Sequence, residues 1–176
     1  MAAGRGRTRV LVAALAVVVL AAAGAVAWFQ PQKLVIDERV DEAPPGVAPA
    51  GPGTTGGGAA GPGTLTLAAG RFRSLGHETS GRAAVLEVDG GRRFLRLDGL
   101  RTSNGPDLFV YLSTTAAGGP RDRHDDGALS LGRLKANQGN QNYEIGAGVA
   151  LDRYRSVVIW CRRFTYAFGA ADLAPA

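Results

Sequence analysis

Sulfur is scarce in this chain. Its 176 residues hold one cysteine, Cys161, and one methionine, Met1. A lone thiol excludes an intramolecular disulfide framework and the Cys-x-x-Cys-His attachment of c-type haem. Histidine is almost as rare, with only His77 and His124. No His-Glu-x-x-His, no Gly-x-Ser-x-Gly and no phosphate-cradling glycine loop occurs, so hydrolase and transferase signatures are missing. Lysine is limited to Lys33 and Lys135 against 18 arginines. Beyond residue 64 there are 15 basic and 11 acidic side chains, without a basic cluster or interleaved aromatics. Nucleic-acid binding needs a concentrated electrostatic footprint, and that class is set aside. Long amphipathic helical stretches are also absent, which points away from an α-helical domain.

Charge is missing altogether from Val10 to Phe29, a run of 20 residues. At helical rise this spans roughly 30 Å, the hydrocarbon thickness of a bilayer. Arg5, Arg7 and Arg9 precede it, and Trp28 and Phe29 close it as an interfacial aromatic pair. The positive-inside rule then assigns residues 1–9 to the cytoplasm, 10–29 to a single-pass signal anchor, and the remainder to the outside of the cell membrane. A cleaved signal peptide is the competing reading, with Ala25-Val26-Ala27 as a small-x-small site. No lipobox cysteine comes after the run, which excludes a lipoprotein.

Residues 30–42 read as a polar stalk whose alternating charges suit a helical turn or two. Residues 43–64 contain 13 Gly or Pro among 22 and read as a disordered tether. The folded part is expected over 65–176. A little over a hundred residues can build one core without disulfides.

That part reads as strands. Ala83–Val88 and Arg92–Leu97 flank Asp89-Gly90-Gly91 as a hairpin. Period two sets Leu95 and Leu97 on one face, with Phe94, Arg96 and Asp98 on the other. Asn104-Gly105-Pro106-Asp107 reads as a turn before the apolar strand Leu108–Leu112. Val157–Cys161 is a further central strand, and Phe164–Phe168 another. Many short strands between glycine-containing turns predict an all-β domain, an antiparallel β-sandwich or barrel-like fold.

The chemistry-bearing residues are few. Period two places Cys161 with Val157 and Ile159, and Trp160 with Val158 and Arg162. A free cysteine in such a run packs as a small hydrophobe or, at a strand end, serves as a redox thiol or ligand. With Met1 on the cytoplasmic side, Cys161 and His77 are the candidate axial ligands for a non-covalent haem. His77 lies in the polar loop Leu75–Gly81. His124, in Asp122-Arg123-His124-Asp125-Asp126, reads as a solvated loop tip, and no metal site is assigned there. Cys161 is also available for a disulfide-linked dimer.

In order along the chain come Gly70-Arg71-Phe72, His77 with Ser80-Gly81, Phe94-Leu95-Arg96-Leu97 and Asn104–Ser113. Leu131–Lys135, Gly139–Tyr143, Tyr154–Cys161 and Phe168–Leu173 complete the order. This ordered set resembles the DM-thirteen domain, often labelled the electron-transfer DM domain, over roughly Ala69 to Leu173. The resemblance implies a β-sandwich-like extracellular domain with one characteristic cysteine, here Cys161. It also implies a redox or electron-transfer role at the cell surface, with the cysteine as a bare thiol or haem ligand and His77 as a second participant. DOMON and cytochrome-type domains accompany the family in animals. None is present here, so the implied redox partner is another protein. The expectation from sequence is a membrane-tethered extracytoplasmic redox domain centred on Cys161. The alternative is an extracellular binding or adhesion module whose cysteine only packs.

Overall fold

The structure, a computed structural model, describes residues 11, 12, 14–21, 24, 37–46 and 63–176. The chain divides into two compact units, Met1–Ile36 and Asp37–Ala176. In the first unit the described residues are helical. Among the described residues no helix is long and apolar enough to cross a membrane. Residues 1–9, much of the expected span and positions 47–62 of the tether lie outside the described residues.

The second unit is built almost wholly of strands. They are β1 (Arg39–Asp41), β2 (Leu65–Arg71), β3 (Arg73–Ser74), β4 (Thr79–Val88), β5 (Arg92–Thr102) and β6 (Leu108–Ser113). β7 (Leu129–Arg133), β8 (Gln138–Ile145), β9 (Ser156–Cys161), β10 (Tyr166–Asp172) and β11 (Ala174–Pro175) complete the set. One sheet has six strands in the order β1-β8-β5-β4-β2-β11, the other five in the order β3-β10-β9-β6-β7. Their inner faces meet in one core as a β-sandwich. Ala83, Val85, Leu95, Leu97, Tyr143 and Ile145 come from the first sheet, and Leu108, Val110, Leu112, Val157, Ile159 and Cys161 from the second.

The expected hairpin is present, with Val88 opposite Arg92 and both Gly90 and Gly91 at positive φ. These positions are open to glycine at little steric cost. The period-two faces are as expected. Leu95 and Leu97 are buried inward, while Arg96 points outward and donates to Asp98 at 2.7 Å. β9 is central, between β10 and β6, and all six of its residues are buried.

Two local expectations change. Part of the stalk is neither helical nor detached, since Arg39–Asp41 pairs with β8 in parallel, against the antiparallel pattern of the other pairings described. Polar side chains fix this strap. Asn137 Nδ2 and Gln138 Nε2 donate to the Asp37 carboxylate, and Asn142 N–H donates to Glu42 Oε2. The buried Arg96 guanidinium donates to the Glu42 carbonyl at 2.7 Å. The second change is at Phe164, which is 67% exposed in the turn between β9 and β10 rather than in a strand. Cys161 pairs with Tyr166, so residues 162–165 must reverse the chain, and Thr165 takes φ 50° to do so.

Candidate functional site

Cys161 is a free thiol with no solvent exposure. It ends β9, flanked across the ladder by Leu108 of β6 and Tyr166 of β10. Directly opposite residues on one face bring their side chains together, so these two wall the sulfur laterally. Its inward direction is fixed by the next residue, Arg162. The Arg162 N–H donates to the Asp107 carbonyl at 3.0 Å, and its guanidinium turns to the outer face. There Arg162 Nε donates to Tyr111 OH at 2.6 Å and the guanidinium lies 3.5 Å from the Phe109 ring centroid. Such a hydrogen-bonded cation–π clamp holds the strand end against rotation.

A β-bulge shapes the wall above the thiol. Ala167 pairs with Trp160 and Gly169 with Ile159, leaving Phe168 as the extra residue. An inserted residue leaves the ladder and re-aims its side chain. Phe168 enters the inter-sheet core with Cys161, only 3% exposed. Its carbonyl, free of the ladder, accepts N–H bonds from Leu75, Gly76 and His77 at 3.0, 3.0 and 3.1 Å. The loop that carries His77 is therefore anchored to the bulge. The exposed His77 ring stacks on Phe168 with centroids 3.8 Å apart and meets Tyr166 edge-on at 6.4 Å.

The fold thus brings His77 to the same end of the sandwich as Cys161, with Tyr166 as the residue next to both. Among the described residues no hydrogen bond joins His77 to Cys161. Glycine makes the close cover feasible. A Cβ on Gly76 would run into the Tyr166 ring, and one on Gly105 would press on Leu108 and Phe168. A haem shared by Cys161 and His77 does not fit this arrangement. The sulfur has no solvent exposure between its cross-strand neighbours Leu108 and Tyr166, and the exposed imidazole is stacked on Phe168. An axial pair must instead face one another across an open slot.

His124 departs from its expectation as a solvated tip. It has no solvent exposure, and neither ring nitrogen has a hydrogen-bond partner. Among the described residues no group of three or more His, Cys, Asp or Glu is placed to hold a metal ion. The sequence signs of loop burial were faint, because Arg123 and Asp125 on either side read as solvated. Phe168, Tyr166, Gly76 and Gly105 were likewise unmarked as a cover. The only hint was glycine in loops otherwise rich in polar residues.

A two-sheet β domain with one thiol closed under an aromatic cover defines the class. The family model described as Electron transfer DM13 matches residues 71–173, and the chain belongs to that family. No curated protein and no solved structure matches the chain.

Proposed function

We propose that this chain is a membrane-tethered, extracytoplasmic electron-transfer domain whose redox group is the Cys161 thiol. Family membership supports electron transfer in the coarse sense. The uncharged run Val10–Phe29 with its preceding arginines supports the tether and the outward domain. The observation that carries the assignment of Cys161 is its position. It is the one sulfur of the folded unit, at a strand end under a cover of Tyr166, Phe168 and His77.

The chemistry is thiol–disulfide exchange with a partner protein's disulfide. The Cys161 sulfur gives up its proton and attacks one partner sulfur. The partner S–S bond breaks, a mixed disulfide forms, and the released partner sulfur leaves reduced and takes up a proton. The cover must open first, which makes His77 and Phe168 positioning residues. The test is thiol titration of natively purified protein before and after unfolding, together with its absorbance spectrum. Slow, complete labelling of the folded protein that accelerates in Phe168→Ala is the expected result. A folded thiol that stays inert in both proteins, with no cofactor absorbance, would sink the proposal.

The complete burial of Cys161 favours a second reading, an extracellular binding module in which the cysteine only packs. On that reading Cys161→Ala keeps every activity and loses only stability.

A further inference from the structure

The loop from Thr114 to Ala128 folds over the outer face of the five-stranded sheet. Ala117 and Ala128 join Val158, Trp160, Ala167 and Ala170 in a second apolar cluster there. Light polar ties hold the loop down. Ala117 N–H donates to Asp172 Oδ1 at 2.7 Å, Ala167 N–H to the Arg121 carbonyl at 3.1 Å, and Ser156 Oγ to the Thr115 carbonyl at 2.7 Å. At the centre of this loop sits His124, wholly buried, with both ring nitrogens unpartnered. A buried imidazole in that condition is a cost the fold tolerates, since a polar atom taken from water without a new partner is destabilising.

We infer that His124 is a proton-operated latch, and that acidification frees the 114–128 loop from the sheet and bares the apolar face around Trp160, Ala167 and Ala170. The charged groups around it are few and do not offset burial. Desolvation lowers the His124 pKa below its ordinary 6.5, against the Gly119 backbone, Asp125 of the loop and Asp172 of β10, which all favour the protonated ring. Gly119 acts without reaching hydrogen-bond geometry to either nitrogen. The remaining charges of the loop are engaged elsewhere or near its surface. Arg121 donates to Tyr166 OH at 2.8 Å, Arg123 pairs with Asp126, Asp122 is exposed, and Arg73 of β3 comes up beside Gly118.

The sign follows from the lowered pKa. Above 6.5 the ring is neutral whether the loop is closed or open, and closure is at full strength. As pH falls from there toward the closed-state pKa, the open loop takes the proton more readily. The open-to-closed ratio then rises by up to about tenfold per pH unit.

The test uses the full-length protein and hydrogen exchange at the Ala117 and Ala167 amides, corrected for intrinsic rates, from neutral pH to mildly acidic pH. Protection is expected to fall by up to about tenfold per pH unit below the ordinary histidine pKa. It is expected to stay flat in His124→Leu, which keeps the loop closed. His124→Phe serves as a second apolar replacement should the first fail to fold. With only two histidines in the chain, a His77→Gln background assigns the His124 ring signal by NMR. A His124 midpoint at or above the ordinary histidine value overturns the inference. So does protection that ignores pH, or that falls equally in the leucine and phenylalanine variants, since the carboxylates would then be responsible.

Discussion

Replacing the Cys161 sulfur tests how closed its surroundings are. Cys161→Ala removes one heavy atom from a site with no solvent exposure, in the core shared by both sheets. A lost buried atom of methylene size costs about 1 kcal/mol in transfer, and incomplete collapse of the small void adds to it. The destabilisation should be about 1–2 kcal/mol. Cys161→Ser preserves the shape but introduces a hydroxyl among Leu108, Ile159 and Phe168. An unpaired buried hydroxyl costs roughly 1–3 kcal/mol on protein scales. Serine should therefore be the more harmful of the two, although it is the closer match in size. Urea unfolding separates them. With a slope of about 1–3 kcal/mol per molar, the alanine midpoint should fall by about 1 M and the serine midpoint further. A serine variant as stable as the wild type would refute this reasoning. The sulfur would then face polar groups or water, and direct access by a partner would need no opening of the cover.

Other expectations concern the cover, the strap and a buried phenol. Gly76→Ala drives a methyl into the Tyr166 ring, so it should cost about 1–3 kcal/mol and raise the labelling rate of Cys161, as followed by thiol-reagent kinetics. Arg96→Met removes the buried guanidinium that joins Asp98, Asn142 and the Glu42 carbonyl. It should cost about 2–4 kcal/mol and expose the strap, seen as faster hydrogen exchange at the Glu42 and Gln138 amides. Tyr143 OH donates to Gln141 Oε1 at 2.7 Å, and burial raises its pKa well above the ordinary phenol value. That stability is complete below about pH 10 and is lost as pH rises from there toward the folded-state pKa. Phenolate absorbance should accordingly show one of the four tyrosines ionising only as the domain unfolds.

Much of this arrangement is legible in the sequence because it depends on period two. Alternation along Val157–Cys161 is enough to put Cys161 inside and Trp160 outside, and alternation along Arg92–Leu97 separates Leu95 and Leu97 from Arg96. What alternation does not carry is any contact set by a distant partner. The Arg39–Asp41 strand is three residues long and charged, and its pairing rests on Asn137, Gln138, Asn140 and Asn142 almost a hundred residues away. Phe164 has the composition of a strand residue, but the hairpin needs it for the turn. His124 lies between charged neighbours that do stay at the surface. Its own ring is nevertheless wholly buried, with Gly119, Asp125 and Asp172 as the polar groups that act on it, a placement that only the folded loop sets.

The same strand links both devices. β9 lends its inner face to the thiol and its outer face to the floor of the His124 loop, and β10 lies alongside it with Phe168 inward and Ala167 outward. The bulge that frees Phe168 to cover Cys161 lies next to Ala167, whose amide is tied to the loop through the Arg121 carbonyl. Arg121 in turn donates to Tyr166 OH, and Tyr166 is both the cross-strand neighbour of Cys161 and an edge contact of His77. Packed elements of this kind shift between discrete arrangements rather than deforming continuously. Release of the loop would therefore loosen Arg121 from Tyr166 and weaken one wall around the sulfur. Cys161 labelling should then accelerate on acidification by more than thiolate chemistry allows, since a thiol loses nucleophilic form as pH falls. The rate corrected for thiolate fraction should rise below the ordinary histidine pKa in the wild type and stay level in His124→Leu. A corrected rate that is level in both would mean that the two faces of β9 act independently.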